Sequence, residues 1–245
     1  MAGHSKWANI QHRKGREDAK RGKLFTKLVR EITVTARTGG PDLDSNPRLR
    51  AAVTEAKKNS MPNDNIKRAI EKATGGGDGS QLEECTYEGY GAGGVAVLVE
   101  VVTDKKSRTT PEIRHAFSKY GGNMGEEGSV GWQFTKKGYI EIPKSAIDED
   151  GLTMAILEAG ADDYEDGGEN WGVLTDPADL HTVRDALEGQ DLEILSGKLV
   201  MIPNTELTIT GDTLKKVMQL VEVLEDNDDV QNVWNNADFD EAELV

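Results

Sequence analysis

The strongest constraint on the fold is a change of hydrophobic period at a glycine run, Gly75-Gly76-Gly77. Before it, apolar residues recur at helical spacing; after it, short apolar runs alternate with helical segments. From Asp18 onward Leu24, Phe25, Leu28, Val29 and Ile32 follow a 3.6-residue period, which Gly39-Gly40-Pro41 ends. A second helix starts at Asn46-Pro47, since Asn accepts a hydrogen bond from an orphan N–H and Pro suits a first helical turn. Its stripe is Leu49, Ala52, Val53 and Ala56, and Pro62 breaks it. A third helix, capped by Asn63 or Asp64, turns Ile66, Ala69 and Ile70 inward and stops at Gly75. Residues 18–75 therefore read as a small helical bundle, residues 1–17 as a basic arm that orders on binding, and Gly75–Ser80 as a linker.

Beyond the linker, strands are expected at 83–88, 94–102, 130–135, 138–142, 163–167, 171–175, 192–196, 198–203 and 229–234. Helices are expected at 110–120, 145–159, 177–188 and 212–225. Residues 138–203 thus run β-α-β-β-α-β, a split βαβ unit of ferredoxin-like type. The flanking pieces, with one more strand near 205–210, would form a second such unit. The expected fold class is α+β: an N-terminal helical bundle followed by two α/β, ferredoxin-like domains, one inserted in the other. The boundaries are a 1–17 arm, an 18–75 nucleic-acid-binding domain, a discontinuous 80–135 plus 205–245 domain and a 136–204 insert.

Charge divides at the same place. The net charge is −15, yet residues 1–75 hold 17 Lys and Arg against 8 Asp and Glu, and the remainder holds 12 against 36. A basic end on an acidic body suggests a face for a polyanion, although a basic run is also an ordinary solvated surface. The one cysteine, Cys85, excludes a disulfide framework and a Cys-rich zinc site within one chain and fits a reducing compartment. No apolar run has the length of a membrane span, and the N-terminus lacks the apolar core of a signal peptide. The expectation is a cytoplasmic protein without a membrane partner; no feature sets its oligomeric state.

The candidate binding residues are Lys6, Trp7, His12, Arg13, Lys14, Arg16, Lys20, Arg21, Lys23, Lys27, Arg30, Arg48, Arg50, Lys57 and Lys58. Lys20, Lys23, Lys27 and Arg30 recur three and four residues apart, on one helix face largely opposite Leu24, Leu28 and Ile32. Such crowded like charge is relieved by a polyanion, with release of condensed counterions. Trp7 either stacks on an unpaired base or anchors the arm to the bundle.

Other motifs carry less chemistry. Gly89-Tyr90-Gly91-Ala92-Gly93-Gly94 fits G-x-G-x-x-G but leads into a strand, so it reads as a strand-to-strand turn and not a dinucleotide site. Gly122, Asn123, Met124 and Gly125 lie in a glycine-rich loop at 121–130, which composition alone reads as a connector. His4, His12, His115 and His181 lack metal-ligand spacing, and the acidic runs, among them Asp226–Asp229, lack calcium-loop spacing. No catalytic arrangement, metal, cofactor or small-molecule substrate is indicated, and the expectation is a protein that is not an enzyme.

Several stretches carry a resemblance. They are Met1-Ala2-Gly3-His4-Ser5-Lys6-Trp7-Ala8-Asn9-Ile10, Asp18-Ala19-Lys20-Arg21-Gly22-Lys23-Leu24-Phe25-Thr26-Lys27 and Asn46-Pro47-Arg48-Leu49-Arg50. Tyr87-Glu88-Gly89-Tyr90-Gly91, Arg114-His115-Ala116-Phe117 and Gly121-Gly122-Asn123-Met124-Gly125 join them. Together they resemble the YebC/PmpR family over the whole chain, the C-terminal third more by layout than by motif. The resemblance implies three domains, one helical and two α/β, and a DNA-binding transcriptional regulator. Other members, including the mitochondrial translational activator of cytochrome c oxidase, are described as translation factors that help synthesis through proline-rich stretches. The implied partner is therefore DNA, or ribosomal RNA within the ribosome, and the 121–130 loop matches a family loop proposed to matter in the second role. A protein–protein scaffold remains the alternative from another class.

Overall fold

The structure, a computed structural model, describes residues 17–75 and 82–240, the first five of them by backbone alone. In chain order the helical part is α1 (Glu17–Gly39), α2 (Pro47–Lys58) and α3 (Asn63–Thr74). Then come β1 (Glu83–Tyr90), β2 (Ala96–Thr103), α4 (Lys106–Lys119), β3 (Asn123–Met124), β4 (Phe134–Pro143), α5 (Glu149–Ala159), β5 (Asp163–Asp166) and β6 (Asn170–Thr175). The chain continues through α6 (Leu180–Glu188), β7 (Ser196–Pro203), β8 (Leu207–Thr208), α7 (Gly211–Glu225), β9 (Val230–Asn235) and β10 (Ala237–Asp238). These elements form two compact units. One takes the described residues up to Trp132 together with Ile209–Asn235; the other takes Gln133–Thr208 and the residues from Asn236.

In the first unit, the Asn46 carboxamide joins α1 to α2. It accepts from Leu49 N–H at 3.1 Å and donates to the carbonyls of Thr35 at 2.9 Å and Gly40 at 2.8 Å. The cap expected at Asn63 or Asp64 is not used. Pro62 occupies that position, and its carbonyl accepts from Asn65 N–H at 2.9 Å, so the helix begins one residue earlier without a side-chain cap. The bundle core contains Leu28, Ile32, Leu49, Val53, Ala56 and Ile66, with Met61 closing its end. Truncating Ile32 or Leu49, both fully buried, to Ala would cost about 2–5 kcal/mol. From Ile32 to Ala36 α1 is buried on every side, because its second face lies against β2.

The sheet of this unit has the order β3-β1-β2-β9, antiparallel throughout. Its helices turn Ile113, Ala116 and Phe117 of α4, and Leu214, Val217, Leu220, Val221 and Leu224 of α7, into the core. Counted from β2, this is a split βαβ unit whose remaining strand, β1, comes first in the chain. The edge strand differs from expectation. The segment near 205–210 contributes only β8, which pairs in parallel with β10, and the edge is β3, supplied by the glycine-rich loop. Gly122 makes this possible: a Cβ there would run into the Tyr90 carbonyl and come within 3.0 Å of Gly91 Cα.

The second unit carries the order β5-β6-β4-β7, the ferredoxin-like arrangement, over a core of Ile140, Ile142, Leu152, Trp171, Val173, Val183 and Leu187. The strands expected at 130–135 and 138–142 are replaced by one, β4, which starts at Phe134. Gly138, the first residue of the strand expected at 138–142, is a mid-strand contact: a Cβ there would strike Thr175 Oγ1 and lie 3.0 Å from Leu180 Cβ. Likewise 192–196 is not a separate strand. Leu192 and Ile194 pack on the core from irregular backbone, and pairing begins at Ser196. The helices expected from 110, 145 and 177 start at Lys106, Glu149 and Leu180. Pro111 thus lies inside α4, and Asp148 caps α5 by accepting from Gly151 N–H at 2.9 Å.

Candidate nucleic-acid interface

Lys23, Lys27 and Arg30 share a face of α1, as their spacing requires, and that face meets the C-terminal end of α7. Lys23 Nζ donates to the Asp226 carbonyl at 3.2 Å and lies 3.1 Å from its carboxylate. Lys27 Nζ donates to the Glu225 carbonyl at 2.8 Å. The last carbonyls of a helix lack intrahelical partners and carry partial negative charge, so cations placed there both neutralise and cap. Burial lowers the Lys27 pKa, and the nearby Glu225, Asp226 and Asp228 offset part of that shift.

Arg30 reaches deeper. Its guanidinium donates to the carbonyls of Val102, at 3.3 Å, and Asp228, and to the Asp229 carboxylate at 2.5 Å. Asp229 is buried and also accepts from Thr109 at 2.5 Å, Thr103 at 3.0 Å and Arg108 at 2.9 Å. Burial alone would raise its carboxyl pKa; the hydroxyls of Thr109 and Thr103 and the guanidiniums of Arg108 and Arg30 outweigh it and hold the carboxyl below its ordinary range. Breaking such a buried pair from one side costs about 3–5 kcal/mol, because the other charge is left without compensation.

Arg48 is likewise engaged, donating to Glu31 at 2.9 Å and Glu84 at 2.6 Å. Arg50 is half-buried on α2, with its Nε not hydrogen-bonded to any described residue. Lys57 and Lys58 are exposed in the last turn of α2, where their charge complements the helix dipole. Lys67, Arg68 and Lys72 are exposed on α3. The α2–α3 hairpin therefore turns the larger share of its cations to solvent, while the described cations of α1 are mostly held inside the unit. Lys20 and Arg21 fall in the first turns of α1. Lys6, Trp7, His12, Arg13, Lys14 and Arg16 lie outside the described residues.

The glycine-rich loop is anchored from below. Gly122 N–H donates to the Phe117 carbonyl at 2.8 Å, and Asn123 and Met124 pair with Tyr90 and Gly89 as β3. Gly125 N–H donates to the Glu88 carbonyl at 2.8 Å. The buried Glu88 carboxylate then accepts three backbone N–H groups, from Gly128 at 2.9 Å and from Val130 and Gly131 at 2.7 Å each. Burial would raise the Glu88 pKa, but those three donors lower it. Tyr90 Oη and Trp132 Nε1 both donate to the Ser129 carbonyl, at 3.1 and 3.2 Å, and the Trp132 ring is 71% exposed. The loop is thus a held surface element and not the plain connector that composition suggests. The turn at Gly91–Val95 joins β1 to β2 through a single 3-10 turn at Ala92–Gly94 and opens no α-helix, which agrees with the strand-to-strand reading.

The residues missed in the sequence are the acceptors: Glu88, Asp229, and Glu31 and Glu84 opposite Arg48. One signal was present. Asp226-Asn227-Asp228-Asp229 is an acidic run at a helix end, complementary to the basic stripe of α1, although its spacing alone names no partner. Among the described residues no three His, Cys, Asp or Glu side chains are grouped to hold a metal ion. No helix among them is long and apolar enough to cross a membrane.

A basic three-helix domain continuous with two split-βαβ sheets defines a class of multidomain α+β protein. The chain belongs to the TACO1/YebC family: residues 5–76 match the model of the TACO1/YebC protein N-terminal domain, and residues 82–237 that of the TACO1/YebC second and third domain. It is 53% identical over 244 residues to a probable transcriptional regulatory protein of Koribacter versatilis, covering 100% of this chain and 98% of that one. It is 52% identical over 245 residues to another of Acidobacterium capsulatum, covering 100% and 99%. The crystal structure of a conserved hypothetical protein from Aquifex aeolicus superposes with a TM-score of 0.89 at 45% identity, covering 96% of this chain and 98% of that one.

Proposed function

We propose that the protein is a non-enzymatic regulator of gene expression that binds nucleic acid through its helical domain, with DNA as the first candidate target. The observation that carries this reading is the segregation of charge: Lys57, Lys58, Lys67, Arg68 and Lys72 are exposed on one helical hairpin of an otherwise acidic protein. Cations so placed bind a phosphate backbone by releasing its counterions, which needs no catalytic group. The names of its relatives, probable transcriptional regulatory proteins, support the transcriptional form. Backbone contacts alone carry no sequence information, so a specific DNA site would be read by few side chains or through DNA shape.

A ribosomal RNA target is the second reading, and one observation favours it. The helix with the longest basic stripe, α1, is buried on every side at Ile32–Ala36, so it is not shaped to lie in a major groove. RNA offers unpaired bases and irregular grooves that do not require an unobstructed recognition helix. Sedimentation of native lysate through a sucrose gradient at low salt, untreated and after RNase or DNase, separates the two. The transcriptional reading predicts a position that only DNase changes. Travel with ribosomes and release by RNase would replace it with the translational one.

A further inference from the structure

Lys23, Lys27 and Arg30 of α1 already have an anionic occupant. Glu225–Asp229 offers the face of Lys23, Lys27 and Arg30 a set of oxygen acceptors: the carbonyls of Glu225, Asp226 and Asp228 and the carboxylates of Asp226 and Asp229. Spaced along one stripe, these acceptors present what consecutive backbone phosphates would present to the same three side chains. Val102, whose carbonyl also receives Arg30, ties the stripe to the sheet at the back. The outer part of the contact is open to solvent: Lys23 and Asp226 are 42% and 64% exposed, whereas Arg30 and Asp229 are 18% and 4% exposed. An exposed ion pair holds weakly and is screened by salt, so the contact would open from the Lys23 end.

We infer that Glu225–Asp229 is an internal competitor for nucleic acid, withholding the basic face of α1 until a polyanion displaces it. The inference rests on the nucleic-acid reading above and adds a regulation to it. With the segment docked, binding uses the α2–α3 hairpin; with it displaced, Lys23, Lys27 and Arg30 join. Affinity then rises with the charge density of the target, and a weakly charged ligand leaves the joint shut.

The test keeps total charge constant. In the full chain carrying Cys85→Ser, Lys23→Cys and Asp226→Cys, a short bismaleimide bridges the two introduced thiols after folding. The same preparation, bridged and unbridged, is titrated with a random-sequence DNA duplex by fluorescence anisotropy across a range of salt. Locking should weaken binding at low salt roughly threefold or more and flatten the slope of log affinity against log salt by about 2, since Lys27 and Arg30 are withheld. In a second arm Asp226→Asn should bind more tightly than Asp212→Asn, which makes the same charge change at the other end of α7. Equal affinity and slope with and without the bridge, in a chain that binds the duplex, would overturn the competitor alone. No salt-dependent binding in either form, nor to an RNA hairpin, would overturn the nucleic-acid reading and the competitor with it.

Discussion

Glu165 shows how one side chain reports on its surroundings. It sits on β5 with Tyr139 Oη donating to it at 3.2 Å. Burial pushes its pKa up to about 7, against the opposing effect of the tyrosine bond. A carboxyl whose folded pKa exceeds the unfolded value near 4.3 binds its proton more tightly when folded, so stability falls as pH rises between those values. Glu165→Gln should therefore flatten the pH dependence of the melting temperature between about pH 5 and 7, and the substituted chain should be the more stable one at pH 8. An unchanged profile would mean that Glu165 is solvated. Asp229 acts in the opposite direction: its depressed pKa contributes stability above the ordinary carboxylate range, which is lost as pH falls through the folded value. Neither behaviour could be read from the sequence, where each residue sits beside another acid in an acidic chain and its partners lie far away along it.

Helices were more legible than strands, for a physical reason. A helix satisfies its own backbone, so the bundle's period, the Asn46 cap and the glycine stops sufficed to place α1, α2 and α3. A strand needs a neighbour, and the neighbour decides its limits: β4 runs through Gly138 because α6 presses there, and β3 exists because β1 offers an edge. The glycine-rich loop is the same case, since its order comes from Glu88 on another element. Glu88→Ala removes the acceptor of three N–H groups, each worth about 1–3 kcal/mol if left buried and unpaired. Amide exchange at Gly128, Val130 and Gly131 should then accelerate while the protection of α2 and α3 stays as before. If those three amides remain protected in the substituted chain, Glu88 does not hold the loop.

For the protein as a unit, the division of charge was visible from composition, but the use made of it was not. The sequence presented one basic stripe on α1 as the leading interface. In the structure Lys23, Lys27 and Arg30 of that stripe meet the C-terminal end of α7, and the shorter run on α2 and α3 faces solvent. A stripe's spacing tells which residues share a face and says nothing of what covers it. The acidic remainder, 36 Asp and Glu against 12 Lys and Arg, would repel a polyanion, so on the proposed reading binding is expected at the helical domain.

The most direct test of this account is the salt dependence of duplex binding by the intact chain and by the quadruple variant Lys57→Ala, Lys58→Ala, Lys67→Ala, Arg68→Ala. Each lost phosphate contact removes about 0.9 from the slope of log affinity against log salt, so the variant should bind more weakly and its slope should flatten by about 2–4. A variant that folds as before and keeps the wild-type slope would contradict the claim that the α2–α3 hairpin grips the phosphate backbone.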